Sequence, residues 1–136
     1  MKYFTPAELV SKKVFLKFGV DSLELFDNRI LTTLDAIREY YNMPVIVNTW
    51  PWGGRLQYRG YRAIDEDIGA DRSMHHFGKA TDFSVNGLDA ETILYNLRDN
   101  SAVFNYITRM YKVTDSTVHI DIKGTREDGK IKIITI

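Results

Sequence analysis

The feature that most constrains this chain is a run of apolar residues ended by a proline. Leu23, Phe26, Ile30, Leu34, Ile37 and Tyr41 recur at spacings of three and four. That period places them on one helical face and predicts a helix over about 22–41. Pro44 forbids its continuation. "PVIVNTW" follows, rich in β-branched residues, and reads as a strand. Earlier, "FTPAEL" reads as a helix start: Thr5 can cap, Pro6 suits the first helical position and Glu8 completes a T-x-x-E box.

The second half reverses the pattern. "KATDFSV" predicts a strand, and "LDAETILYNLRD" a helix capped by Asp89 with Ile93, Leu94 and Leu97 on one face. "VFNYITRMYKV", "STVHIDIKG" and "KIKIITI" read as strands, the last two joined by "TREDG", whose Asp-Gly favours a tight turn. Helices come mainly first and strands mainly later, which predicts an α+β fold with an antiparallel sheet. The 136 residues suit a single domain spanning 1–136.

Between the halves, residues 51–73 form a long stretch rich in glycine and arginine with no clean period. Loops of that length in a compact domain often carry function. Trp50, Trp52, Tyr58 and Tyr61 cluster there. They could wall a groove for peptide or glycan, or seal the core.

Charge narrows the function classes. Lys+Arg and Asp+Glu both number 18, so nothing favours nucleic acid or an anionic membrane. No apolar run approaches the ~20 residues of a membrane span. "MKYFTPAELVSKKVF" lacks the apolar run of a signal peptide, which predicts synthesis in the cytosol. The sequence carries no signal for an oligomeric state. Cysteine is absent, so any metal must be held by His, Asp or Glu.

The chain has three histidines: His75 and His76 in "RSMHHFGKATDFSV", and His119 in "TVHIDIKG". A catalytic zinc site keeps three protein ligands and an open position. His75, Asp82 and His119 could supply such a set, with Asp82 and His119 on strands and Gly78 allowing a tight path between the first two. Read by spacing alone, they could equally be satisfied polar residues that never meet.

"SMHHFGKATD" fits S-x-H-x-x-G-x-A-x-D at Ser73, His75, Gly78, Ala80 and Asp82. In this it resembles the zinc D-Ala-D-Ala carboxypeptidases and dipeptidases, a family that includes phage endolysins cutting L-alanyl-D-glutamate bonds and whose fold is shared with the hedgehog signalling domain. "IGA", at 68–70, resembles the Gly-Ala preceding the family motif, and "VHIDI" the strand bringing the last ligand. The likeness spans roughly Val45–Ile122.

The resemblance implies a hedgehog/DD-peptidase-like fold, with helices packed on one side of the sheet. It implies Zn2+ held by His75, Asp82 and His119, a Ser73 hydroxyl near the site or substrate, and a transition-state or carboxylate-binding arginine at Arg59 or Arg62. The implied substrate is a peptidoglycan stem peptide, cut on the cell wall after phage-type release or by a virion component. Family members carry a Glu or Asp three residues before the last histidine as general base; here that residue is Ser116. Asp115, Asp121 and His76 are the candidate replacements, and Asp121 could instead orient a ligand histidine. Ser116 also admits a rival reading, a zinc-containing binding module with impaired catalysis.

Overall fold

The computed structural model describes residues 1–66 and 73–135. Its elements are α1 (Lys12–Phe18), α2 (Asn28–Tyr41), β1 (Val45–Ile46), β2 (Ala80–Val85), α3 (Ala90–Asp99), β3 (Arg109–Lys112), β4 (Val118–Asp121) and β5 (Lys132–Ile133), with short 3-10 turns between them. The fold is α+β. The five strands form one sheet in the order β1-β2-β4-β3-β5. Every pairing is antiparallel except β3 with β5.

The periodic run from Leu23 does not form one helix. Gly19–Leu25 is a 3-10 turn, Phe26 is extended, and α2 starts at Asn28. The break comes from Asp27, whose carboxylate accepts the Arg29 N–H at 3.0 Å and so caps α2. The period continues across the break because Leu23 and Phe26 still pack on the core. Asn42 ends α2 in the left-handed region, its N–H donating to the Arg38 carbonyl at 2.9 Å.

Asp27 gives a stability prediction. Asp27→Ala should cost about 1 kcal/mol, the usual worth of an N-cap. Ion-paired hydrogen bonds from Arg29 hold the Asp27 carboxyl below its ordinary value, outweighing partial burial. A depressed carboxylate stabilises above its unfolded pKa and loses that contribution as pH falls through the folded one. The stability gap between wild type and Asp27→Ala should therefore begin to narrow as pH falls below about 4. Urea melts at pH 7 and pH 3 check this; an equal gap at both would refute it.

The capping box at Thr5 forms: the Glu8 carboxylate accepts both the Thr5 N–H and its hydroxyl at 2.9 Å. The segment it opens is only a 3-10 turn, Pro6–Leu9. The strand after Pro44 is also shorter than its composition suggests. Beyond Ile46 the chain leaves β2 to bond the N-terminal segment. The Asn48 amide and the Trp50 indole both donate to the Val10 carbonyl, at 3.1 and 2.7 Å. Of "VFNYITRMYKV", only Arg109–Lys112 is strand.

The expected β4–β5 hairpin does not form. Both edges of β4 are already occupied, by β2 and β3. The segment after β4 is instead drawn across the 101–107 turn by Arg126, whose guanidinium donates to the carbonyls of Ile107, Ser101 and Phe104. β5 therefore lands beside β3, in parallel, with Met110 opposite Ile133.

Strand alternation then divides the sheet. Phe83, Val85, Met110, Val118 and Ile120 face a core shared with α2 and α3 through Ile30, Leu34, Ile37, Ile93 and Leu97. Asp82, Tyr111 and His119 stand opposite one another on the other face. The helices α2 and α3 thus leave that second face to the loops, and the site lies there.

Candidate metal centre

His75 reaches the sheet from a 3-10 turn, Met74–Phe77. Ser73 caps this turn by accepting the His75 N–H at 3.3 Å, and Gly78 closes it in the left-handed region at φ 67°. The Nδ1–H of His75 faces the Gly60 carbonyl at 2.8 Å. That bond leaves Nε2 bare in the neutral ring. On β4, His119 turns its Nε2 to the Asp121 carboxylate at 2.8 Å, leaving Nδ1 bare. The two bare nitrogens are 3.3 Å apart. Asp82 Oδ1 lies 3.2 Å from the first and 2.8 Å from the second.

With both rings neutral in these tautomers, three electron-pair donors converge on one point. A cation resolves the repulsion. A tetrahedral ion bound at ~2.0–2.1 Å sets its ligand atoms about 3.3 Å apart, close to these spacings. The donor set, two imidazoles and a carboxylate, suits zinc. All three residues are buried, so the donor atoms are held in place by packing.

Without a cation at that point, protons on the two rings take its place. Burial pushes the Asp82 carboxyl up, but hydrogen bonds from His119 and His75 outweigh it and hold the group well below the usual carboxylate range. Burial pushes His119 down, yet Asp121 and Asp82 together raise it above the ordinary histidine value. Asp121 is fully buried. Burial raises its pKa, but His119, Arg109 and the Lys123 N–H more than offset this and leave it depressed.

Asp121 therefore stands behind the ligand rather than beside the open position. Its oxygens accept from Arg109 Nε at 2.7 and 2.9 Å, and Oδ1 also takes the Lys123 N–H at 3.0 Å. Such partners fix a ligand's tautomer and tilt. Asp121→Asn should weaken zinc binding by ~10–100-fold, the usual cost of losing a supporting group. Competition against a chromophoric chelator measures this, and unchanged affinity would remove Asp121 from the role.

The other sequence candidates separate. His76 is buried and donates through Nδ1 to the Arg62 carbonyl at 2.7 Å, so it anchors the loop and does not line the cleft. Arg62 does line it, its Nη2 lying 3.4 Å from Asp82 Oδ2 and its Nε 2.6 Å from the Tyr58 carbonyl. Arg59 is absent from the lining, but its backbone carbonyl accepts the Asp82 N–H at 2.6 Å. Its side-chain Nε and Nη2 are buried without a partner among the described residues. Burial lowers its pKa, partly opposed by the Asp82 charge.

Asp115 is not brought to the cleft. Its backbone carbonyl accepts the Ala90 N–H at 2.8 Å, which draws the turn toward α3. Its carboxylate is fully exposed and paired with Lys112 at 3.1 Å. Ser116 is exposed in the same turn. The Gly69-Ala70 part of the likeness lies outside the described residues.

The loop aromatics do not wall the cleft either. Trp50 packs against Phe15 and Tyr61 against Phe26. The aromatic that does line it is Tyr111, stacked on His119 at 4.2 Å between ring centroids. Arg109 and Lys123 complete the basic side of the cleft. Strand alternation through Arg109 and Tyr111 was the signal for two of these three.

Three buried candidate ligands meeting at one point beside a cleft, two on the sheet and one on a flanking turn, suit a catalytic zinc centre. The chain belongs to the peptidase M15 family: the model of that family, described as Peptidase M15, matches residues 2–121. The match begins well before the Val45 boundary of the motif likeness and takes in the helical half. This is a family of zinc-dependent peptidases acting on peptide substrates. No curated protein and no solved structure matches the chain significantly. Among the described residues, no helix is long and apolar enough to cross a membrane.

Proposed function

We propose that the chain is a zinc peptidase that cleaves peptide bonds in peptidoglycan stem peptides, in the manner of a D-Ala-D-Ala carboxypeptidase or an endolysin. The convergence of three bare donor atoms carries this reading, together with the five matched motif positions. Zinc held there supplies a Lewis acid that activates water at neutral pH. His75 Nε2, Asp82 Oδ1 and His119 Nδ1 hold it. The Gly60 carbonyl and Asp121 keep the two rings in the binding tautomer. Arg62 presents a guanidinium at the cleft wall, where a scissile carbonyl oxygen gains a donor as charge develops on it. Arg59 supports the site from behind: its carbonyl accepts the Asp82 N–H, while its buried guanidinium stays out of the cleft. Cleavage of wall peptides would follow phage-type release from the cytosol or delivery as a virion component.

A second reading has its own support. Among the described residues, the only carboxylates lining the cleft are Asp82 and Asp121, and both are engaged. With Ser116 at the usual base position, the chain would then be a zinc-containing module that binds a cell-wall peptide or a protein partner without cutting it.

One experiment separates the two. Zinc-loaded protein is incubated with purified muropeptides, and new amines and fragment masses are followed. The peptidase reading expects amine release that Arg62→Ala lowers by about 10²-fold or more, the scale of losing one oxyanion donor. Stoichiometric zinc with bound but uncut muropeptide would overturn it in favour of the binding module.

A further inference from the structure

A second groove, of about 430 Å³, runs on from the metal cleft past β3 and β5, sharing Arg109 and Lys123 with it. One wall, Arg98 and Thr108, belongs to the part of the chain that the family model matches. The other comes from residues beyond 121, among them Lys123, Lys130 and Lys132. The segment drawn across by Arg126 therefore adds a wall that the matched region does not contain.

That wall is basic in a chain whose formal charges cancel. Arg109 is neutralised by Asp121. Arg98, Lys123, Lys130 and Lys132 have no carboxylate partner within ion-pair distance among the described residues. Among the described residues, only two acids, Glu127 and Asp128, share the groove. The surplus is positive, and it opens directly into the cleft.

The groove is also preformed. Besides the Arg126 bonds, the Ile131 N–H donates to the Ser101 hydroxyl at 3.1 Å and the Lys132 N–H to the Thr108 carbonyl at 3.0 Å. A ligand entering it does not have to order this segment first, which favours binding. Among the described residues no aromatic side chain lines it, so bases or sugar rings find no stacking surface there.

We propose that this groove is a subsite for a peptide bearing free carboxylates, the part of the substrate extending past the metal cleft on the β3–β5 side. The assignment rests on the peptidase reading of the adjoining cleft for its choice of a peptide. Carboxylates there replace the missing counter-charges of Arg98, Lys130 and Lys132, and Lys123 spans the two compartments. Exposed pairs of this kind are individually weak and sensitive to salt. Several together select an acidic peptide over its amide.

The test is direct binding. Fluorescent Ala-Glu-Glu-Ala and Ala-Gln-Gln-Ala are titrated into the full chain, with and without zinc, and followed by anisotropy. The acidic peptide should bind about tenfold more tightly at low salt, as several exposed charge pairs together allow. That advantage should fade at 1 M salt, where the Debye length falls to ~3 Å. The Lys130→Glu/Lys132→Glu variant should erase it, and Arg98→Glu should reduce it. Charge reversal at the distant Lys2 should leave it intact. Equal binding of the two peptides would overturn the subsite, as would a preference that survives the double variant. So would tighter binding of a glycerol phosphate oligomer than of the acidic peptide. Cleavage is read separately, by chromatography of purified muropeptides incubated with the same zinc-loaded protein. Selective binding with no muropeptide cut leaves the subsite standing and removes the peptidase reading; muropeptide cleavage without selectivity does the reverse.

Discussion

Zinc should be lost from the His75→Ala protein, and with it the thermal stabilisation that zinc gives the wild type. The substitution removes one of three converging donors, leaving Asp82 and His119 alone at 2.8 Å. Losing a mere supporting group costs ~10–100-fold in metal affinity, and losing a ligand should exceed that. A ligand at a thousand times its Kd stabilises the folded state by ~4 kcal/mol. For a chain of this size that is on the order of 10–15 °C in melting temperature. The wild type should show such a rise on adding zinc and lose it to a chelator, while His75→Ala should show almost none. His76→Ala is the decisive partner experiment. His76 lies next in sequence, but its Nδ1 is bonded to the Arg62 carbonyl and it takes no part in the donor set. Its loss should leave zinc uptake nearly unchanged. Metal analysis and calorimetry on both variants check this, and similar zinc content in the two would place the metal elsewhere.

That asymmetry between adjacent histidines was legible in the sequence, because a fixed register to Gly78, Ala80 and Asp82 singles out His75. Asp121 was legible for a related reason. Two residues apart on a strand means the same face, so Asp121 had to lie near His119. What alternation could not give was which side of His119 it would occupy. That depended on Arg109, brought opposite Asp121 by the register of β3 with β4.

The misplaced elements share one cause: their position is set by partners remote in sequence. Asp115 looked close to the site because it precedes His119 by four residues. The bond from the Ala90 N–H, at the start of α3, pulls its turn the other way. "TREDG" looked like a hairpin turn because Asp-Gly favours one locally. Arg126 inside it instead binds three carbonyls of the 101–107 turn, and the local preference is overridden. The continuous period from Leu23 misled in a subtler way. Burial creates a period of three to four whether the backbone is α-helical or 3-10, so the pattern reported the core face correctly and the element boundary wrongly.

Gly78→Ala should be among the most destabilising single substitutions in the chain, by more than 3 kcal/mol. Two costs combine. Gly78 sits at φ 67°, where a residue with a Cβ pays ~1–2 kcal/mol. Its added Cβ would also lie 2.7 Å from Phe26 Cα and still nearer the Leu25 carbonyl oxygen, both backbone atoms. Backbone cannot swing aside as a side-chain tip can. The turn must move, and the Asp27 N–H bond to the Gly78 carbonyl, 3.0 Å in the native fold, is strained with it. That bond ties the His75 turn to the start of α2, so the damage reaches both stability and the aim of His75. Gly87→Ala separates the two costs. Gly87 has φ 81°, but nothing lies within 4 Å of its added Cβ. It should lose only the conformational part, ~1–2 kcal/mol, and keep wild-type zinc affinity. Urea unfolding of the two variants, with zinc titration of each, measures the difference. Equal destabilisation by both would mean that the close approach of Gly78 to Leu25 and Phe26 is unimportant, and that the glycine of the motif serves its backbone angle alone.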